Sequence, residues 1–208
     1  MGRYVDADCR RCRGLGQKLF LKAKKCYTAK CILERRNFRP GQHGKIRKKS
    51  SEYSVQLNEK QKLKVLYGML ERQFRLYFNK AAKMKGVTGN NLIELLERRL
   101  DNVVMRSGLA SSRDQARQFV RHGHVRLNGK SADIPSIQIC AGDKLEIRQK
   151  ETSQNLIKAA MELSVGRPVP SWLKVEPEKF SVNVVSLPKA EDAGHNINVQ
   201  LIVELYSK

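Results

Sequence analysis

Apolar positions along this chain follow a helical period first and a shorter one later. From Asn58 to Lys85, Leu63, Leu66, Leu70, Phe74, Tyr77 and Ala81 recur at three- and four-residue steps. That spacing predicts one amphipathic helix with a core stripe, opened by an Asn58/Gln61 capping box and closed by Gly86. From Asn91 to Arg106, Leu92, Leu95, Leu96, Leu100 and Val103 predict a second, with Asn91 and Glu94 as its box. A third runs from Ser112, boxed by Gln115, to a stop at Gly123, with Ala116, Phe119 and Val120 on its apolar side. Beyond it, His124-Val125-Arg126-Leu127 alternates, and Asn128-Gly129 supplies the positive-φ pair of a type I′ hairpin turn.

Ile137 with Ile139, and Leu145 with Ile147, predict two short strands about a turn at Gly142-Asp143, with Cys140 a small core residue on the first. A short helix is expected from Asn155 to Leu163, broken by Gly166, Pro168 and Pro170. Phe180 to Leu187 alternates weakly like a strand. Asn198 to Tyr206 is an apolar run that periodicity leaves undecided between helix and strand. Helices followed by short strands mixed with helices make the class α+β.

Charge changes the picture. The 208 residues hold 41 Lys and Arg against 20 Asp and Glu, a formal net charge of +21. A field of that sign attracts polyanions, and nucleic acid is the default partner through counterion release at phosphates. A merely solvated, over-charged surface is the bland alternative. The charges are spread over many elements, which disfavours a membrane surface, and no apolar run is long enough to span a bilayer. With no signal peptide, an intracellular protein is expected. On the third helix Arg113, Arg117 and Arg121 recur every fourth residue and share one face, so something anionic should lie against them, and phosphate is the first choice. Arg126 adjoins them on the hairpin. His122 and His124 flank Gly123, and contact with phosphate or simple occupancy of the turn are equally good accounts of them.

Residues 1–49 read poorly as a core and are rich in cations. Arg3, Arg10, Arg11, Arg13, Lys18, Lys22 and Lys25 would form an extended RNA surface if a staple held them in place. Cys9-x2-Cys12-x13-Cys26-x4-Cys31 offers that staple. Four thiols in two pairs suit one structural, tetrahedral Zn²⁺, and neighbouring cations are expected to lower the thiol pKa values. An iron–sulfur cluster is the weaker metal alternative, disulfides fit badly without secretion, and four unrelated free cysteines remain open. His43 and His195 have no partner at ligand spacing. Nor is there a Gly-rich nucleotide loop, a nucleophile with a paired base, or a zinc-water site with an attendant Glu.

Arg99-Leu100-Asp101-Asn102-Val103-Val104, Ser112-Arg113-x3-Arg117-Gln118-x2-Arg121-His122 and Val125-x-Leu127-Asn128-Gly129 resemble the small RNA-binding module named after ribosomal protein S4. Pro40-Gly41-Gln42-His43-Gly44, Tyr53-x3-Leu57-x-Glu59-Lys60-Gln61-Lys62 and Tyr67-x3-Glu71-Arg72-Gln73-Phe74 resemble the helical domain of the bacterial-type S4 family. Pro170-Ser171-Trp172-Leu173 and Ile202 to Lys208 resemble its C-terminal half. The resemblance covers nearly the whole chain, in the family's four-cysteine, zinc-binding form.

The resemblance implies three regions. They are a zinc-stapled basic segment (1–49), a helical domain (50–90, joined by 198–208), and an inserted domain (91–197) that contains the RNA-binding module with a small antiparallel sheet (about 97–160). It implies a structural, non-enzymatic constituent of the small ribosomal subunit in the cytoplasm, in a bacterial or organellar host. Such proteins bind a 5′-domain junction of 16S-type rRNA, nucleate assembly of the subunit body, and border the channel where mRNA enters. They also contribute to translational accuracy and meet neighbouring small-subunit proteins, with no membrane and no small-molecule substrate. Arg72 joins the expected rRNA contacts, and Lys45, Arg47, Lys48 and Lys49 the expected mRNA contacts. The rival reading is an RNA-modifying enzyme or tRNA-handling factor that carries the same module. A zinc-finger transcription factor would want a recognition helix just after the metal ligands, and none is evident.

Overall fold

The computed structural model describes residues 4–46, 49–164 and 167–207. Arg3, Arg47, Lys48 and the helix break expected at Gly166 lie outside the described residues. The chain forms two compact units, one of Met1–Leu92 with His195–Lys208 and the other of Ile93–Gly194.

In the first unit, α1 (Asp8–Leu15), a 3-10 turn (Ala23–Tyr27) and α2 (Ile32–Arg35) precede two longer helices, α3 (Glu52–Leu66) and α4 (Glu71–Lys83). The single helix expected from Asn58 to Lys85 is therefore two. Gly68 takes a left-handed φ of 61° between them, which a residue with a Cβ adopts at a cost. Leu63, Phe74, Tyr77 and Ala81 are buried as expected, but Leu70 sits at the break and is 42% exposed. The cap is Ser51, whose Oγ accepts from the Ser54 N–H at 3.3 Å, and Asn58 lies inside α3. The undecided terminal run is helix α9 (Val199–Ser207), which packs along α3. Gln56 of α3 donates to Glu204 at 3.2 Å, and the Tyr206 ring stacks on Phe78 with centroids 4.4 Å apart.

The helix expected from Asn91 to Arg106 is also divided, into α5 (Thr88–Glu97), within which the second unit begins, and α6 (Leu100–Arg106). Arg99 leaves helical backbone at φ −68°, ψ 136° and bridges to Gln138. Next come α7 (Arg113–Arg121), the hairpin β1 (Val125–Leu127) and β2 (Lys130–Ser131), β3 (Lys144–Ile147), α8 (Glu151–Glu162), β4 (Leu173–Glu176) and β5 (Ser181–Val184). The sheet is antiparallel in the order β2-β1-β3-β5-β4, with Val125 opposite Ile147 and Leu145 opposite Val182. Asn128 and Gly129 both have positive φ, 50° and 77°, as a type I′ turn requires. One face carries the core: Phe119 and Val120 of α7, Ile157 of α8, Trp172, and Val125, Leu145 and Val182 of the strands. The segment 137–139 forms an isolated bridge to Arg99 rather than a strand, and Cys140 is exposed rather than core. Its N–H is taken by the Asp143 carboxylate at 2.7 Å, so it belongs to a turn.

Candidate nucleic-acid interface

Helix α7 divides as its sequence pattern requires. Ala116, Phe119 and Val120 are at most 6% exposed, while Arg121 is exposed. Ser112 Oγ accepts from the Gln115 N–H at 3.2 Å, and the Gln115 side chain returns to the N–H of Ser111 rather than of Ser112. The arginine face is not uniformly open. Arg117 reaches Asp101 at 3.2 Å, and Arg113 donates to Asn102 Oδ1 at 2.9 Å. The anion expected against these guanidinium groups is internal for Arg117, held by Asp101, while Arg113 meets the neutral amide oxygen of Asn102.

Those two acceptors are built by the Arg99-Leu100-Asp101-Asn102 turn at the start of α6. Arg99, 2% exposed, donates to Asp101 through Nε at 3.1 Å and Nη2 at 2.9 Å. Asn102 donates to Glu97 Oε2 at 2.8 Å, and Arg106 clamps the same carboxylate through Nε and Nη2. Glu97 has no exposed surface, and its buried carboxylate is paired by Arg106. The consequence of these contacts is that the Arg113 and Arg117 side chains are held in fixed positions by the start of α6.

At the end of α7, His122 and Arg121 are exposed, and the two histidine rings lie 6.1 Å apart. His124 Nδ1 is 2.9 Å from Ser153 Oγ. Burial lowers the pKa of His124, and the nearby charges of His122, Arg148 and Lys150 lower it further. Arg148 and Lys150 escaped the sequence reading. The β1–β3 register brings them here, with the Arg148 N–H bonded to the His124 carbonyl at 2.8 Å. Arg126 is exposed and borders a polar cleft shared with Lys144, Lys158 and Lys179. No local motif marks those three lysines.

In the N-terminal segment, Arg10, Lys22 and Lys25 are exposed. Arg11 lies over the Tyr4 ring at 3.2 Å, and Lys18 pairs with Glu34. Arg13 works inward: its Nε donates to the Phe38 carbonyl at 3.0 Å and its Nη2 to that of Arg39 at 3.3 Å, tying α1 to the loop at 37–46. Lys45 shares the Phe38 ring at 5.5 Å; Lys49, and Arg72 on α4, are exposed.

The thiols need a correction. Among the described residues no group of three or more His, Cys, Asp or Glu side chains is arranged to hold a metal ion. The four thiols are neighbours all the same. Burial raises the pKa of Cys12, and the charges of Cys26, Cys9 and Cys31 raise it further against a hydrogen bond from the Leu19 backbone. Burial also raises Cys26, whose Sγ accepts the Lys22 N–H at 3.3 Å. For these two thiols the shift is opposite to the lowering expected from nearby cations.

Residues 3–97 match the family described as ribosomal protein S4/S9 N-terminal domain, and residues 98–145 match the S4 domain. Small ribosomal subunit protein uS4 of Trichlorobacter lovleyi is 55% identical over 208 residues, covering 100% of both chains. The chain belongs to the uS4 family. The uS4 proteins of Solidesulfovibrio magneticus and of a Thermoanaerobacter species are 55% and 54% identical, again over the full length of both. The uS4-type module therefore begins at Arg98, beside the buried Arg99–Asp101 pair, and includes α6, α7 and the hairpin. Among the described residues no helix is long and apolar enough to cross a membrane.

Proposed function

We propose that this chain is a structural, non-enzymatic constituent of the small ribosomal subunit that binds 16S-type rRNA. One observation carries the reading: relatives named as small ribosomal subunit proteins match at 55% identity from end to end, leaving no unmatched region for a catalytic domain. Supporting it are the net charge of +21 and the exposed Arg121, Arg126, Arg148 and Lys150 of the second unit. Phosphates of a 5′-domain rRNA junction lie against these groups and against Arg113 and Arg117, while Arg10, Arg11, Lys22 and Lys25 of the N-terminal segment meet rRNA phosphates of their own. Binding there nucleates the subunit body and meets neighbouring ribosomal proteins. Lys45 and Lys49, with Arg47 and Lys48, grip mRNA phosphates where the message enters, and the protein contributes there to accuracy.

Cys9, Cys12, Cys26 and Cys31 hold one Zn²⁺, whose chemistry is structural closure of the segment. The clustering of the thiols supports this, as do the backbone N–H groups of Leu19 and Lys22 directed at the Cys12 and Cys26 sulfurs. The test of the whole reading is sedimentation. The protein should travel with small subunits in a ribosome gradient and bind transcribed 5′-domain rRNA with steep salt dependence; a free pool that turns over an RNA substrate would overturn it.

A further inference from the structure

In the first unit the rings of Phe74, Tyr77 and Phe78 are interior, at most 8% exposed. Phe20 and Tyr27 are the contrast, at 48% and 67% exposure, yet their rings stack on each other with centroids 4.9 Å apart and planes 29° apart. The chain directs them outward as a pair. Their neighbours Leu19 and Cys26 turn in, at 4% and 9% exposure. The backbone between the rings is unusual as well, with Phe20 at φ 51° and Ala23 at φ 30°. A bulky side chain in that left-handed region carries strain, and such strain gathers at functional sites. Exposed on the same stretch are Lys22, Lys24, Lys25 and Lys30.

We propose that the Phe20–Tyr27 stack is a platform for one unpaired nucleobase of small-subunit rRNA, with the flanking lysines holding the adjacent phosphates. The inference rests on the rRNA-binding reading of this segment and adds a base-stacking subsite to it. Tyr27 is the outer ring and takes the base; Phe20 backs it and fixes its plane. A paired base has both faces covered within its helix, so only a bulged, looped or terminal base offers a free π-face. Charge complementarity selects RNA over an apolar protein surface, since four ammonium groups beside two rings suit a base with its phosphates.

The experiment uses the full-length protein and transcribed 5′-domain rRNA, with affinity measured over a salt series. Tyr27→Leu should weaken binding about tenfold or more while leaving the slope of log K against log salt unchanged, because stacking releases no counterion. Lys24→Ala and Lys25→Ala should instead each flatten that slope by about one unit. In Tyr27→Trp the added indole fluorescence should be quenched on binding, against a constant background from the buried Trp172. An unchanged affinity for Tyr27→Leu, with an unquenched indole in the Tyr27→Trp complex, overturns the proposal. So does a weakened affinity with a flattened slope, which would make the rings a mere support for the lysines. Normal rRNA affinity with impaired incorporation into subunits also overturns it, in favour of a neighbouring protein. Failure of the wild-type chain to bind rRNA would sink the proposed function instead.

Discussion

In the second unit the arginines nearest the module's start are folded inward: Arg99 is 2% exposed and Arg106 clamps a Glu97 with no exposed surface. In the N-terminal segment, between residues 4 and 46, the buried side chains are only Leu19 and Cys26, and Arg10, Lys22, Lys24 and Lys25 stand in solvent. One region has carboxylates and an apolar core with which to compensate its cations. The other has neither in quantity, and ties such as Arg13 to the Phe38 and Arg39 carbonyls stand in their place. The same charge density thus serves two physical ends. Buried and paired, it fixes local geometry; exposed, it is the charge that the proposed function sets against rRNA phosphates.

The comparison breaks most visibly on metal removal. Structural zinc in small domains contributes on the order of 10–16 kcal/mol of apparent binding energy, which is folding energy for the segment it closes. Elemental analysis should find one zinc per chain. Chelation should abolish amide protection across residues 4–46 and leave that of α6 and α7 intact; retained protection in metal-free protein would show that the segment folds without a staple. The next largest effect is Asp101→Ala, which leaves Arg99 buried without its bidentate carboxylate. Urea unfolding of the second unit should lose about 3–5 kcal/mol, whereas the N-terminal segment should not change. A loss under about 1 kcal/mol would mean that the pair is not buried in solution.

Smaller, and on binding alone, is the double change Arg121→Ala with Arg126→Ala. Each lost phosphate contact should flatten the salt slope by about one unit at constant thermal stability. Unchanged salt dependence would place the rRNA elsewhere on the unit. Smallest is an acid effect in the helical part of the first unit. Burial alone would raise the Glu71 carboxyl, but hydrogen bonds from Lys60, Lys64 and Tyr206 outweigh it and hold the group down at about 2. A depressed carboxyl stabilises the fold above its ordinary value of 4.5, and that contribution disappears as pH falls toward 2. The side chain is 46% exposed, so solvent screening limits the effect to about 1 kcal/mol. Glu71→Gln should flatten stability across that window and nowhere else.

The α7 face, the type I′ turn at Asn128-Gly129 and the core positions of Phe119 and Val120 were legible in the sequence because each depends on residues within a few positions of one another. The two helix breaks were not. A core stripe runs in step through Tyr67–Leu70, where nothing but Gly68 marks a stop, and through Arg98–Arg99, where the chain bends so that a buried guanidinium can reach Asp101. Cys140 was misread because apolar alternation around it resembles a strand, while a side-chain acceptor from Asp143 makes a turn.

By itself, then, the sequence determined what local spacing and total charge can determine: an α+β chain with one basic helix face, a hairpin beside it, four thiols at the other end, and a polyanion as partner. Tertiary structure alone decided which cations face inward. Arg113 and Arg117 look the same as Arg121 in a helical repeat, yet two of them meet Asn102 and Asp101 while the third stays in solvent. It also decided that Arg148 and Lys150 stand beside His124, since only antiparallel pairing of β1 with β3 brings them there. The physical reason is that periodicity assigns a residue to a face, whereas what lies against that face is set by chain segments far away in sequence.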